Sequence, residues 1–237
     1  MHHLVWTCDL QSQYADAEQL MATVVGSRKQ VLGETHPDTL ESMDDLASIY
    51  EHRGQSTKAE EFRTAVLATR KQTLGEDHSD TLEVTQNLAS TYRAQGRLSE
   101  AEELYMLVIA ARKRVQREDH PDTLFAVNEL AYTYRERGRL ADSEASYTNV
   151  VDSRKRVLGE DPPSTLISIA NLAYTYRKQG RLEDSESLYT TVIDARKRVL
   201  GEDHHDTLSS IDELAYTYRK QGEPADAEAL YGTIFAT

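Results

Sequence analysis

"LAYTYRKQGRLEDSESLYTTV", Leu172 to Val192, decides the fold. Leu172, Ala173 and Tyr176 fall at i, i+1 and i+4, one face of a helix. Ser185, Tyr189 and Val192 fall at i, i+4 and i+7, one face of a second helix. Between them stands Gly180, which can take positive φ at no steric cost and so ends the first helix. The small residues Ala173 and Ser185 let the two helices approach closely. The stretch therefore reads as an antiparallel helix pair.

The same landmarks recur at steps of 42 residues. Leucine returns at Leu4, Leu46, Leu88, Leu130, Leu172 and Leu214, each followed by a small residue (Val5, Ala47, Ala89, Ala131, Ala173, Ala215). Tyrosine returns at Tyr50, Tyr92, Tyr134, Tyr176 and Tyr218, with Cys8 in that slot of the first copy. Glycine returns at Gly54, Gly96, Gly138, Gly180 and Gly222, with Ser12 in the first copy. A single pair cannot bury its own apolar face, so pairs must stack. The spacing predicts first helices near 38–53, 80–95, 122–137, 164–179 and 206–221. It predicts second helices near 14–32, 56–74, 98–116, 140–158, 182–200 and 224–236. The chain is expected to be one all-α solenoid over 1–237, with a partial repeat at 1–33 and repeats at 36–75, 78–117, 120–159, 162–201 and 204–237.

The joints between pairs carry the phrase "GEDHHDTL" (201–208) and its sisters "THPDTL", "DHSDTL", "DHPDTL" and "DPPSTL". Its concentration of His, Asp and Glu suggests a metal or acid–base site, but the repeat sets the copies at successive corners, so their histidines cannot converge. Proline leads the helix in three copies, at Pro37, Pro121 and Pro163, and in four copies an acid (Asp38, Asp80, Asp122 or Asp206) sits in the first turn, both helix-start signals. We read the phrase as a helix start, capped by His or Asp. His205 stands where those copies have proline, which should loosen that corner. At another joint Gln116-Arg117 replaces Leu-Gly, and Arg63 takes a slot filled elsewhere by Tyr or Met.

Composition narrows the function classes. At 39% hydrophobic and 28% charged the chain can build a core, and it holds no apolar run of about 18 residues that would span a membrane. The opening "MHHLVWTCDL" lacks the features of a secretory signal, and one cysteine allows no internal disulfide, so a cytoplasmic setting is expected. A net charge of −13 would repel phosphate backbones, which argues against nucleic acid. The Arg-Lys runs at 112–114, 154–156 and 196–198 end second helices, where cations suit the dipole. Acids at helical spacing, Asp152 to Arg156 and Asp194 to Arg198, are expected to pair with them. The chain has no H-E-x-x-H, C-x-x-C, G-x-S-x-G or G-x-x-x-x-G-K-[ST], so neither an enzyme nor a cofactor site is expected.

The order Leu-Ala-x-x-Tyr, Gly, then Ala-x-x-x-Tyr-x-x-Val resembles the tetratricopeptide repeat. That repeat normally runs to about 34 residues; here the second helix is extended. The 42-residue form is similar to the repeats of kinesin light chains. It is still more similar to the repeat arrays of fungal nucleotide-binding receptors of the innate-immunity type, on phrases such as "LAYTYRKQGRLEDSE". The resemblance implies a right-handed superhelix whose first helices line a concave surface, and a protein or peptide partner.

On that surface one slot reads Trp6, Ser48, Ser90, Tyr132, Tyr174, Tyr216, and the slot three residues on reads Asp9, Glu51, Arg93, Arg135, Arg177, Arg219. Tyr132/Arg135, Tyr174/Arg177 and Tyr216/Arg219 would make a ladder of residue types common at interaction hot spots. Asn87 and Asn171 match asparagines that contact peptide backbone in kinesin light chains. The candidate site is thus these six ladder residues with Arg93, Asn87 and Asn171, suited to an acidic or carboxylate-ended segment. On this reading, alanine at Tyr174 and Arg177 should abolish capture without unfolding the chain. The competing reading has the tyrosines packing between helices, with arginines pairing Glu129 and Glu213. A structural alternative is an oligomerising array joined through uncapped ends at Leu230, Ile234 and Phe235.

Overall fold

The computed structural model describes the backbone of residues 2–235 and the side chains of residues 13–232. The described residues form helices α1 (His2–Leu32), α2 (Pro37–His52), α3 (Ser56–Leu74), α4 (Ser79–Ala94), α5 (Leu98–Val115), α6 (Pro121–Glu136), α7 (Leu140–Leu158), α8 (Pro163–Lys178), α9 (Leu182–Leu200), α10 (His205–Gln221) and α11 (Pro224–Phe235). The ten from α2 onward match the periodicity to within one or two residues. Packing divides them into two units, Met1–Val115 and Gln116–Thr237. In each, every helix packs against its neighbours in sequence, the arrangement of stacked helix pairs.

The unit boundary falls at the joint where Gln116-Arg117 replaces Leu-Gly. At the intact joint Gly201 turns out of α9 with φ of +96°, a left-handed value that favours glycine. Among the described residues only glycines adopt positive φ, and α5 stops one residue earlier in register than α9.

The first unit packs Leu46, Ala47, Tyr50, Ala59, Val66 and Val84 into one core. The second has two adjoining cores, one around Tyr147, Leu166, Ile169 and Leu172, the other around Tyr189, Ile193, Ile211 and Leu214. Leu230 is half-buried against the latter, so it is not the bare end expected from the sequence. The side chains of Ile234, Phe235, Trp6, Cys8 and Asp9 lie outside the described residues.

The joint phrase starts helices as read. His36, His78, His120 and His204 are N-caps, each accepting through Nδ1 from the backbone N–H of the aspartate two residues on, at 3.2 Å. Pro162 caps without a side-chain bond. The aspartate before the capping residue does something the sequence reading missed. Asp77 and Asp161 bind Arg114 (2.5 Å) and Arg198 (2.6 Å), 37 residues further on, and Asp119 meets Arg156 at 3.8 Å. The expected pairs of Asp152 with Arg156 and Asp194 with Arg198 are therefore corrected. These arginines reach back to the preceding joint instead of along their own helix.

The first arginine of each run is not a surface cation at all. Arg70, Arg112, Arg154 and Arg196 are buried. Arg154 and Arg196 donate to the carbonyls of Ser164 and Asp206 in the first turn of the next helix and to Ser168 and Ser210 Oγ, at 2.5–2.7 Å. Burial holds both guanidinium pKa values below the ordinary arginine value. They tie α7 to α8 and α9 to α10. In the partial first copy α1 starts well before the second helix expected near 14–32: it runs unbroken from His2 to Leu32 through Ser12, the slot where later copies turn on glycine.

Candidate functional site

In the second unit the ladder residues come together on the first helices α6, α8 and α10. Arg135 and Arg177 each sit between two rings. Arg135 lies 4.6 Å from the Tyr132 centroid and 4.5 Å from that of Tyr174. Arg177 lies 4.7 Å from Tyr174 and 4.6 Å from Tyr216, and Arg219 lies 5.8 Å from Tyr216. All are within cation–π range. The stack thus alternates Tyr132, Arg135, Tyr174, Arg177, Tyr216, Arg219. Helical spacing of three residues puts each pair on one face, and the 42-residue step carries the next ring over the preceding arginine.

The arginines serve the stack itself. The Arg177 side chain is 8% exposed, binds the Glu213 carboxylate at 2.5 Å and donates to the Glu213 carbonyl at 3.0 Å. Arg135 donates to the Asn171 carbonyl at 3.4 Å. Beneath them Tyr147 and Tyr189 fill the interior, and burial, with Glu213 adding to it, pushes the Tyr189 phenol well above its usual range. The interhelical packing of the tyrosines and the Arg177–Glu213 pair are what the competing reading of the sequence described. Alanine at Tyr174 and Arg177 would dismantle this stack, so that double variant cannot separate capture from folding.

What the stack presents is its edge. Tyr216 is 41% exposed, and the slot seven residues before each ladder tyrosine adds Phe125 (48%) and Ile167 (46%). Ile167 lines a recess of about 400 Å³ with Tyr132, Ala170, Asn171, Tyr174, Ser209 and Glu213. A neighbouring recess of about 560 Å³ shares Tyr174 and Glu213 and adds Tyr216, Lys178 and Lys220. Both lysines are exposed, lie 5.4 and 5.5 Å from the Tyr174 and Tyr216 centroids, and meet no carboxylate within the described residues. Phe125, Ile167, Lys178 and Lys220 were missed in the sequence. The slot 41/83/125/167/209 reads Glu, Glu, Phe, Ile, Ser, so an exposed position turning apolar in two copies was the available signal.

The remaining candidates lie in the first unit. The Asn87 amide donates to Asp44 at 2.8 Å, and its carbonyl accepts from Arg63 at 3.0 Å. Arg93 is half-buried. Arg63, 3% exposed, occupies the interior slot that Tyr147 and Tyr189 fill in the second unit. It binds Asp44, Glu51, Ser48 and Thr91. The first-helix face here is acidic: Asp38, Glu41, Asp44, Asp45, Asp80 and Glu83 line one recess with Pro37 and Arg70. Burial, then Glu41 and Asp44, hold the Asp45 carboxyl above its usual range. At the equivalent recess the second unit has Ile167, Ala170, Asn171 and Ser209 where the first has Glu41, Asp44, Asp45 and Glu83, while Asp206 keeps the place of Asp80.

Paired helices closed by a glycine turn, stacked through buried Tyr, Ala and Val, define a tetratricopeptide-repeat array. The tetratricopeptide-repeat pattern matches residues 7–72, 45–114, 122–197 and 164–236, and the chain belongs to that family. In particular it is similar to a kinesin-light-chain-like protein of nearly identical TPR-like repeats from Podosopora anserina. Identity is 31% over 85% of this chain and 95% of that one, with a TM-score of 0.75, and 0.76 for a single-substitution form of the same protein. BtubC (BKLC) from P. vanneervenii shares the fold at 19% identity, over 96% of this chain and 90% of that one, with a TM-score of 0.77. No curated protein matches the sequence. Proteins of this kind are scaffolds for protein–protein contact, typically without catalytic activity. Among the described residues no helix is long and apolar enough to cross a membrane.

Proposed function

We propose that the chain is a non-enzymatic interaction module, and that the first-helix face of its second unit captures an extended, acidic segment of a partner protein. The observation that carries this reading is the edge of the stack. Tyr216 is exposed beside Lys178 and Lys220, and Phe125 and Ile167 are exposed one slot away, seven residues before Tyr132 and Tyr174. Apolar side chains of the segment would fill the recess at Ile167, and carboxylates would reach the lysines that the stack leaves uncompensated. The arginines hold the rings at fixed spacing, so the surface is ordered before binding and little conformational entropy is lost in using it. The chain's net charge of −13 disfavours an acidic partner at long range. Screening limits that repulsion to about 8 Å at physiological salt, so the local lysines decide the contact.

The test is selection of peptides from a random display library on the full chain. The reading expects acidic peptides with an apolar anchor. Their affinity should fall at least about tenfold, or 1.4 kcal/mol, in Ile167→Asp and in Lys178→Glu/Lys220→Glu, with helix content unchanged.

A further inference from the structure

A second surface lies on α1. In the helices with a first helix packed on either side, α3, α7 and α9, the small residue and the valine of the inner face are fully covered. Ala59, Ser143, Ser185, Val66, Val150 and Val192 are each 0% exposed. In α1, which packs against α2, the equivalents Ala17 and Val24 are only half-buried. Leu20, whose counterparts Phe62 and Leu188 are half-buried, is 68% exposed. The missing cover is the first helix of α1's own pair.

The sequence that would make that cover is present. Leu4, Val5 and Cys8 stand in register with Leu46, Ala47 and Tyr50 of α2. It is carried on α1 itself, which continues through Ser12 instead of turning as the next pair does at Gly54, φ +71°. A straight helix cannot fold onto its own face. Two copies can satisfy each other: antiparallel α1 helices crossing on a two-fold axis bring residues 2–12 of each onto the Ala17–Leu20–Val24 face of the other. A two-fold interface is self-complementary, and exchange of an element already matched to its site is a low-cost route to a dimer.

We propose that the chain forms such an exchanged dimer through α1. The register names a contact. Tyr50 packs against Phe62 with ring centroids 5.6 Å apart, and these are the counterparts of Cys8 and Leu20. In the dimer Cys8 of one copy therefore lies beside Leu20 of the other.

The Leu20→Cys variant of this 237-residue chain has two cysteines, the native Cys8 and the introduced one, and reads this contact directly. After mild oxidation, a covalent species of twice the 26.8 kDa chain mass is expected. Its disulfide, from Cys8 to the introduced thiol, should join heavy to light chains when isotopically labelled and unlabelled protein are mixed and refolded together. The same disulfide closed within one chain would show that residues 2–12 cover their own helix and would overturn the proposal. So would an unmodified chain that stays monomeric by light scattering up to about 100 µM, far above a micromolar dissociation constant. A second variant, Leu20→Glu/Val24→Glu, is expected to halve the scattering mass at unchanged helix content. A dimer that survives it would place the interface elsewhere and equally refute the exchange.

Discussion

The guanidinium of Arg177 meets the carboxylate of Glu213 at 2.5 Å from within an aromatic stack that covers both its faces. The pair ties α8 to α10 and fixes the spacing of Tyr174 and Tyr216. Arg177→Ala should cost about 2 kcal/mol, between an exposed pair and a fully buried one. Glu213→Gln should cost less, because the bond from Arg177 to the Glu213 carbonyl survives. Denaturant midpoints of both variants check the order.

Arg196 and Arg198 are two residues apart in one basic run and have opposite environments. Arg196 is buried and donates to the Asp206 carbonyl and Ser210 Oγ. Arg198 is largely exposed and pairs with half-exposed Asp161. Arg196→Ala should destabilise by about 2–3 kcal/mol, since buried acceptors lose their donor. Arg198→Ala should cost less than about 1 kcal/mol and matter less at high salt.

His205 opens α10 where α2, α6 and α8 open on proline. The helix already has the backbone geometry that proline favours at its first position. His205→Pro should therefore stabilise by about 0.4–1 kcal/mol, mainly by restricting the unfolded chain. Loss of the neighbouring cap in His204→Ala should cost about 1 kcal/mol. Thermal unfolding of the two variants is expected to move in opposite directions.

Asp45 has its carboxyl pKa raised by burial and by Glu41 and Asp44. A carboxyl raised on folding favours the protonated form. The stabilisation is therefore present below the unfolded pKa of about 3.9 and is lost as pH rises through the folded value. Asp45→Asn keeps the neutral form at every pH. Its unfolding midpoint should exceed the parent's at pH 7, and the difference should vanish near pH 3.

The helices and their caps were legible because the 42-residue register repeats the apolar slots, the glycine turns and the helix-start phrase together. The ladder was legible as a set of neighbours, but its chemistry was not. Spacing shows that Tyr174 and Arg177 share a face, whereas the closure of Tyr216 over Arg177 depends on the next helix. For the same reason Arg156 and Arg198 were matched to acids in their own helices, when their partners lie one joint back. The unbroken α1 was hidden by Leu4, Val5 and Cys8, which keep the pattern of a first helix while Ser12 omits its turn. Phe125 and Ile167 escape the comparison because, of the exposed first-helix slots, only those of Tyr174, Arg177 and Asn171 are followed across copies.

The central claim is that the partner surface is the edge of the Tyr/Arg stack in the second unit. The most direct measurement is titration of a library-selected peptide against the full chain, Lys178→Glu/Lys220→Glu and Glu41→Lys/Asp45→Lys, each at low and high salt. The account predicts an acidic peptide whose affinity drops at least about tenfold in the lysine variant, weakens with salt, and is not reduced by the first-unit variant. Binding that is indifferent to the lysines and altered at Glu41 and Asp45 would contradict it and place capture on the acidic first unit.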